Sequence, residues 1–166
     1  SSSSFNIPAL TSLLDGDQKN LIKELKDLIL SGAFALIKGN DFNSQRDQVF
    51  KACRLLANKG YGSIAYPDEY GGCGDMTSYF TLMETISYAD LSMTIKYGVQ
   101  FGLWGGSVFA LGTKKHHDLY LKDIGSLKLP GCFAMTETGH GSNVKGIETS
   151  ATYRHTDRSF IIQSPT

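Results

Sequence analysis

The chain has 166 residues, 41% of them hydrophobic, with 16 basic and 16 acidic side chains and no formal net charge. That length suits one ordinary domain, or one domain and part of another. The absence of a basic excess argues against a nucleic-acid partner or an anionic membrane surface, and no apolar run approaches the roughly 18 residues of a membrane span.

The opening SSSS reads as a flexible end or an expression remnant. After Asp15-Gly16-Asp17, the positions Leu21, Ile22, Leu25, Leu28 and Ile29 recur at helical spacing. This predicts an amphipathic helix capped by Asp15 or Asp17 and ended near Gly32. Residues 33–43 read as a strand-like or irregular link. A second helix fits 44–59, with Ser44 as cap and Gly60 as stop. The stretch YGSIAYPDEYGGCGDM (61–76) holds four glycines and a proline and reads as a loop. A helix over 77–92 follows, with Phe80, Leu82, Met83, Ile86 and Ala89 on its apolar face and a break at Asp90-Leu91-Ser92.

Residues 93–112, MTIKYGVQFGLWGGSVFALG, read as a buried helix. Each interior glycine costs up to about 1 kcal/mol against alanine. Such a run is best explained by something packing closely on it, either a neighbouring helix or a ligand chain. A further helix spans 113–123. Its adjacent His116 and His117 point to different sides, so they form no i, i+4 metal pair and read as surface residues. After Pro130 the texture becomes β: GCFAMTE as a strand, then ETSATYRH and SFIIQSPT as a hairpin joined through HTDR. Cys53, Cys73 and Cys132 form no CxxC and read as reduced thiols, Cys132 packed within its strand.

The loop Gly139-His140-Gly141-Ser142-Asn143 carries the chemistry. Two glycines let a ligand approach the backbone, successive N–H groups can form an anion nest, and Ser142, Asn143 and Thr136 add donors. It is no Rossmann fingerprint, because position 144 is Val and no helix follows. A plain β-turn remains the competing reading. Glu137 and His140 could form an acid–base pair, but nearness in sequence does not establish geometry. No metal site and no catalytic constellation stand out.

At CFAMTETGHGSNVKGIETSATY the chain resembles the acyl-CoA oxidases of the acyl-CoA dehydrogenase/oxidase superfamily. PDEYGG (67–72), YGVQFGLWGGSVFALGTKKHHDLYLKDI (97–124) and SFIIQSPT (159–166) carry the resemblance further, in the family's order. It implies a mainly α chain: a helical, up-and-down bundle-like domain over 1–128, then the first strands of a β-barrel or sandwich domain over 129–166, truncated at the end of the sequence. It implies FAD as cofactor, met by the backbone at Phe133 and Met135, by Thr136, and by Gly141 and Ser142 near the pyrophosphate. Ser142, Gln100, Phe101 and Trp104 would meet a fatty acyl-CoA, although ordinary core packing explains the last three equally well. The next flavin-contacting strand and the general-base glutamate are expected beyond Thr166, so the piece alone, with much of the cofactor's cradle missing, should bind FAD poorly. The implied reaction is α,β-dehydrogenation to the trans-2-enoyl-CoA within fatty-acid β-oxidation, by a homodimer. TETGHGSN, rather than a TEPGAGSD-like loop, favours molecular oxygen as acceptor over a flavoprotein. The compartment would be peroxisomal in a eukaryote and cytoplasmic in a bacterium. A non-catalytic helical interaction module is the alternative from another class.

Overall fold

The computed structural model describes residues 5–35, 39 and 41–165. The opening serines, and Leu36–Lys38 and Asn40 of the expected 33–43 link, lie outside the described residues. The chain divides into two units, Ser1–Cys132 and Phe133–Thr166, a few residues beyond the boundary expected at 128.

The first unit is helical. It holds α1 (Ile7–Asp15), α2 (Lys19–Leu30), α3 (Phe42–Asn58), α4 (Met76–Ser87), α5 (Leu91–Tyr97), α6 (Gly105–Leu111) and α7 (Lys114–Gly125), with a π-helical stretch Gly98–Trp104 joining α5 to α6. Helix α1 was not anticipated; the Asn6 carboxamide caps it by accepting from Ala9 N–H at 3.1 Å. Neither Asp15 nor Asp17 caps α2. Gln18 stands at that position without a side-chain bond, because a 3-10 turn, Gly16–Gln18, intervenes. Helix α3 starts at Phe42 rather than near 45. Its cap is Asp41, whose carboxylate accepts from Asn43 N–H and Ser44 N–H, while Ser44 itself donates its hydroxyl to Asp41 at 2.5 Å. Asp90 does break the next helix, and it starts α5 by accepting Ser92 N–H.

The core forms where α2, α3, α4 and α5 bring their apolar stripes together. Leu25, Cys53, Leu56, Leu82, Ile86, Met93 and Tyr97 are buried there, the stripe spacing of amphipathic helices. Phe80 was expected on the buried face of α4 and is 61% exposed; its neighbour Tyr79 turns inward instead, i−3 from Leu82 and i−7 from Ile86. Tyr79, Tyr97 and Phe101 continue the core as an aromatic row, with centroids 5.7 and 4.8 Å apart. Burial pushes the Cys53 thiol up to about 12, which keeps it neutral. Cys53, Cys73 and Cys132 are all free.

The second unit carries one antiparallel pair, β1 (Ser150–Arg154) and β2 (Ser159–Gln163), in the register Ala151↔Ile162 and Tyr153↔Phe160. This is the expected hairpin. Its HTDR turn is tied by the Asp157 carboxylate, which accepts from the Arg154 guanidinium and the Ser159 hydroxyl. The expected GCFAMTE strand does not form: residues 131–136 take no regular secondary structure and have no partner ladder among the described residues. A β-propensity run becomes a strand only when another strand satisfies its backbone.

Candidate functional site

The glycine run and the loop are built separately. In the helical unit, Gly105 N–H reaches five residues back to Gln100 C=O. This π geometry accompanies a Phe101 C=O that accepts the Tyr66 hydroxyl at 2.7 Å. Glycines 102 and 105 make room for tyrosines: a Cβ at Gly102 would lie 2.1 Å from Tyr79 Oη, and one at Gly105 1.7 Å from Tyr66 Oη. The close neighbour that the sequence demanded at these two positions is therefore the protein itself.

Gln100 is fully buried, and its carboxamide is committed to the backbone. Nε2 donates to Ile124 C=O at 3.3 Å and Leu129 C=O at 3.0 Å, and Oε1 accepts Gly131 N–H at 2.9 Å. Phe101 is 2% exposed. These two expected acyl-contacting residues sit in the core here, because core packing and ligand lining draw on the same residue types. Trp104 is partly exposed. Its indole stands where a Cβ on Gly131 would clash, at 2.5 Å, and its Nε1–H has no hydrogen-bond partner among the described residues. Leu103 beside it is exposed. A separate groove of about 980 Å³, lined by Phe34, Val49, Phe50, Met93, Arg46 and Lys96 among others, contains none of the residues expected to meet cofactor or substrate.

In the second unit, Phe133, Met135, Thr136, Gly141 and Ser142 are all exposed. Cys132, the last residue before this unit, is exposed as well, which corrects its expected packing. The loop between 137 and 150 is organised by Glu137, which is 4% exposed. Its carboxylate accepts Glu148 N–H at 2.9 Å, Thr149 N–H at 2.7 Å and the Thr149 hydroxyl. The Thr149 hydroxyl, followed by the Glu148 and Thr149 N–H groups, holds the Glu137 carboxyl below its usual 4.5, with nearby His140 adding to the effect. His140 Nε2 stands 3.6 Å from Glu148 Oε2, and a Glu137↔His140 bridge closes the turn. Glu137, His140 and Glu148 bring nitrogen and oxygen donors within 4.8 Å of one another, but the Glu137 oxygens already accept from the chain. Glu137 and His140 are thus near one another, but the carboxylate bonds to Glu148 and Thr149. No spacing rule links residue 137 to 148 and 149, so nothing short of the fold could have found the clamp.

At the loop's outer turn, a Cβ on Gly141 would meet nothing within 4 Å. The N–H groups of Gly141, Ser142 and Asn143 have no acceptor among the described residues. Open backbone with free donors is what an anionic diphosphate needs, so these residues fit FAD, and Thr136 adds a hydroxyl a few residues earlier.

A helical unit followed by a two-stranded hairpin is the order that the sequence led one to expect. The acyl-CoA dehydrogenase N-terminal domain family matches residues 37–128, more than half of the chain, and the chain belongs to that family. Acyl-coenzyme A oxidase 2, peroxisomal, of Arabidopsis thaliana is 52% identical over 91 residues, covering 55% of this chain and 13% of that protein. Acyl-coenzyme A oxidase 2 of Yarrowia lipolytica is 31% identical across 98% of this chain and 23% of its own length. The chain thus spans a quarter or less of these relatives. Among solved structures, butyryl-CoA dehydrogenase from Megasphaera elsdenii superposes with a TM-score of 0.73 at 19% identity, over 90% of this chain and 39% of that one. An acyl-CoA dehydrogenase complexed with FAD from Bacillus anthracis gives 0.74 at 22%, over 88% and 25%. At such identities the fold is what is shared. Among the described residues no helix is long and apolar enough to cross a membrane.

Proposed function

We propose that this chain is the N-terminal part of an FAD-dependent acyl-CoA oxidase. It would convert a fatty acyl-CoA to the trans-2-enoyl-CoA and pass the electrons to molecular oxygen, giving hydrogen peroxide in fatty-acid β-oxidation. The observation that carries this reading is the TETGHGSN loop, held open and donor-rich at its tip, in a chain whose relatives are named acyl-coenzyme A oxidases. FAD would supply the hydride acceptor. The chain's own residues bind and orient. The Phe133 and Met135 backbone and the Thr136 hydroxyl offer polar contacts to the ring system, while Gly141 and Ser142 receive the diphosphate. Ser142 also faces the acyl-CoA. Trp104 and the neighbouring Leu103 offer apolar surface to its chain, and Gln100 and Phe101 support that surface from the core. The general base is a glutamate outside residues 1–166. The likeness to peroxisomal plant relatives supports a peroxisomal matrix location, and a homodimer is the expected assembly.

The test uses the full-length protein. It should be yellow as purified, bleach with palmitoyl-CoA, recolour in air and release peroxide. Bleaching that persists in air without peroxide would replace oxidase with dehydrogenase. Absence of flavin and of any turnover would favour a non-catalytic interaction module.

A further inference from the structure

Glu137 breaks the pattern of its surroundings. Met135, Thr136, Thr138 and Gly139 are exposed, yet Glu137 is 4% exposed. A carboxylate leaves water only where donors replace it, and its donors come from far along the chain. Glu148 N–H bonds Oε2 at 2.9 Å across 11 residues, and Thr149 N–H bonds Oε1 at 2.7 Å across 12. The Thr149 hydroxyl donates to the same Oε1 and also stands 3.0 Å from the Ser164 hydroxyl, next to the end of β2. One side chain therefore closes residues 138–147 into a loop. Inside that loop, backbone bonds reach only short distances: His140 N–H to Glu137 C=O, Val144 N–H to Ser142 C=O and Gly146 N–H to Asn143 C=O. Among the described residues, the other side-chain pairing that reaches across the loop to Glu148 is His140 Nε2, at 3.6 Å from Glu148 Oε2.

We propose that Glu137 is a positioning residue for cofactor binding: its clamp on Glu148 and Thr149 presets the loop so that Ser142 and the N–H groups of residues 141–143 converge on a diphosphate. The proposal deepens the flavoenzyme reading and rests on it. Closing the loop before the ligand arrives removes an ordering cost from the binding step. The Glu148 and Thr149 donors take up the carboxylate's charge, so that a negative group behind an anion site need not weaken it. Glu137 touches neither substrate nor cofactor in this scheme and acts through the loop.

The experiment compares the full-length protein with its Glu137→Gln and Thr149→Val variants. FAD affinity is read by the recovery of flavin fluorescence on release, and apoprotein stability by thermal melting. Glu137→Gln should weaken FAD binding by about tenfold or more, the scale of a lost charge-assisted hydrogen bond. Thr149→Val, which removes one donor of the clamp, should weaken it less. The apoprotein melting temperature should hold in both. Unchanged FAD affinity in Glu137→Gln overturns the proposal, and so does a melting temperature that falls in step with affinity, since that marks a merely structural residue. If Glu137→Gln does not fold, Thr149→Val decides by the same two readings. A wild-type protein that binds no flavin overturns the flavoenzyme reading and the clamp's role together; flavin bound equally by wild type and variants overturns the clamp alone.

Discussion

Gly105 and Gly106 adjoin in sequence and differ in surroundings. A Cβ at 105 would lie 1.7 Å from Tyr66 Oη and 3.0 Å from Ile124 Cγ2, whereas at 106 it would meet nothing within 4 Å. Tyr66 cannot swing aside: it is 3% exposed, and its hydroxyl is held by Phe101 C=O. Gly105→Ala is expected to cost about 1–3 kcal/mol by overpacking. Gly106→Ala should gain up to about 1 kcal/mol, because alanine is the better helix former. Urea unfolding of both variants checks this, and two changes of the same sign would contradict it. The need for a close neighbour was readable in the glycine run. Which neighbour was not, because Tyr66 and Tyr79 arrive from other elements. The same ambiguity left Gln100 and Phe101 open between substrate contact and core packing, and both are buried in the core.

Helix starts show how local signals compete. Ser44 looked like the cap of α3, but Asp41 holds that place and takes Ser44 as a donor. The Ser44 hydroxyl, then the Ser44 N–H and the Asn43 N–H, hold the Asp41 carboxyl below its usual 3.8. A folded-state value below the unfolded one means stability that is present above about 3.8 and lost as pH falls through the depressed value. Asp41→Asn keeps an acceptor but no charge. The melting-temperature advantage of wild type over Asp41→Asn should therefore shrink between about pH 5 and about pH 2; an advantage constant with pH would refute the charged cap. Periodicity found α2, α3 and α4 because each buries one stripe. It read residues 93–112 as one plain helix, since a π-helical stretch leaves the apolar pattern unbroken and shows only in hydrogen bonds.

The two units should differ in how firmly they hold their backbone. Every residue of β1 is exposed, and only Ser159 of β2 is partly covered. Cross-strand partners share a face, so Ala151, Tyr153, Phe160 and Ile162 form one apolar side, while the other carries Ser150, Thr152, Arg154, Ser159 and Gln163 with a single isoleucine, Ile161. Two strands alone are marginal in water. Amide exchange of the 166-residue chain should run faster across Ser150–Gln163 than in α4, whose Leu82 and Ile86 are fully buried; equal protection would contradict this. Amphipathic stripes, turn glycines and a β-rich tail reported the order of elements, and the order of motifs reported the family, because these signals are local or linear in the chain. Who fills the space beside Gly105, what Gln100 holds, and how Glu137 closes a loop on Thr149 were settled by the fold alone. Each depends on contacts between residues far apart in sequence, which no periodicity encodes.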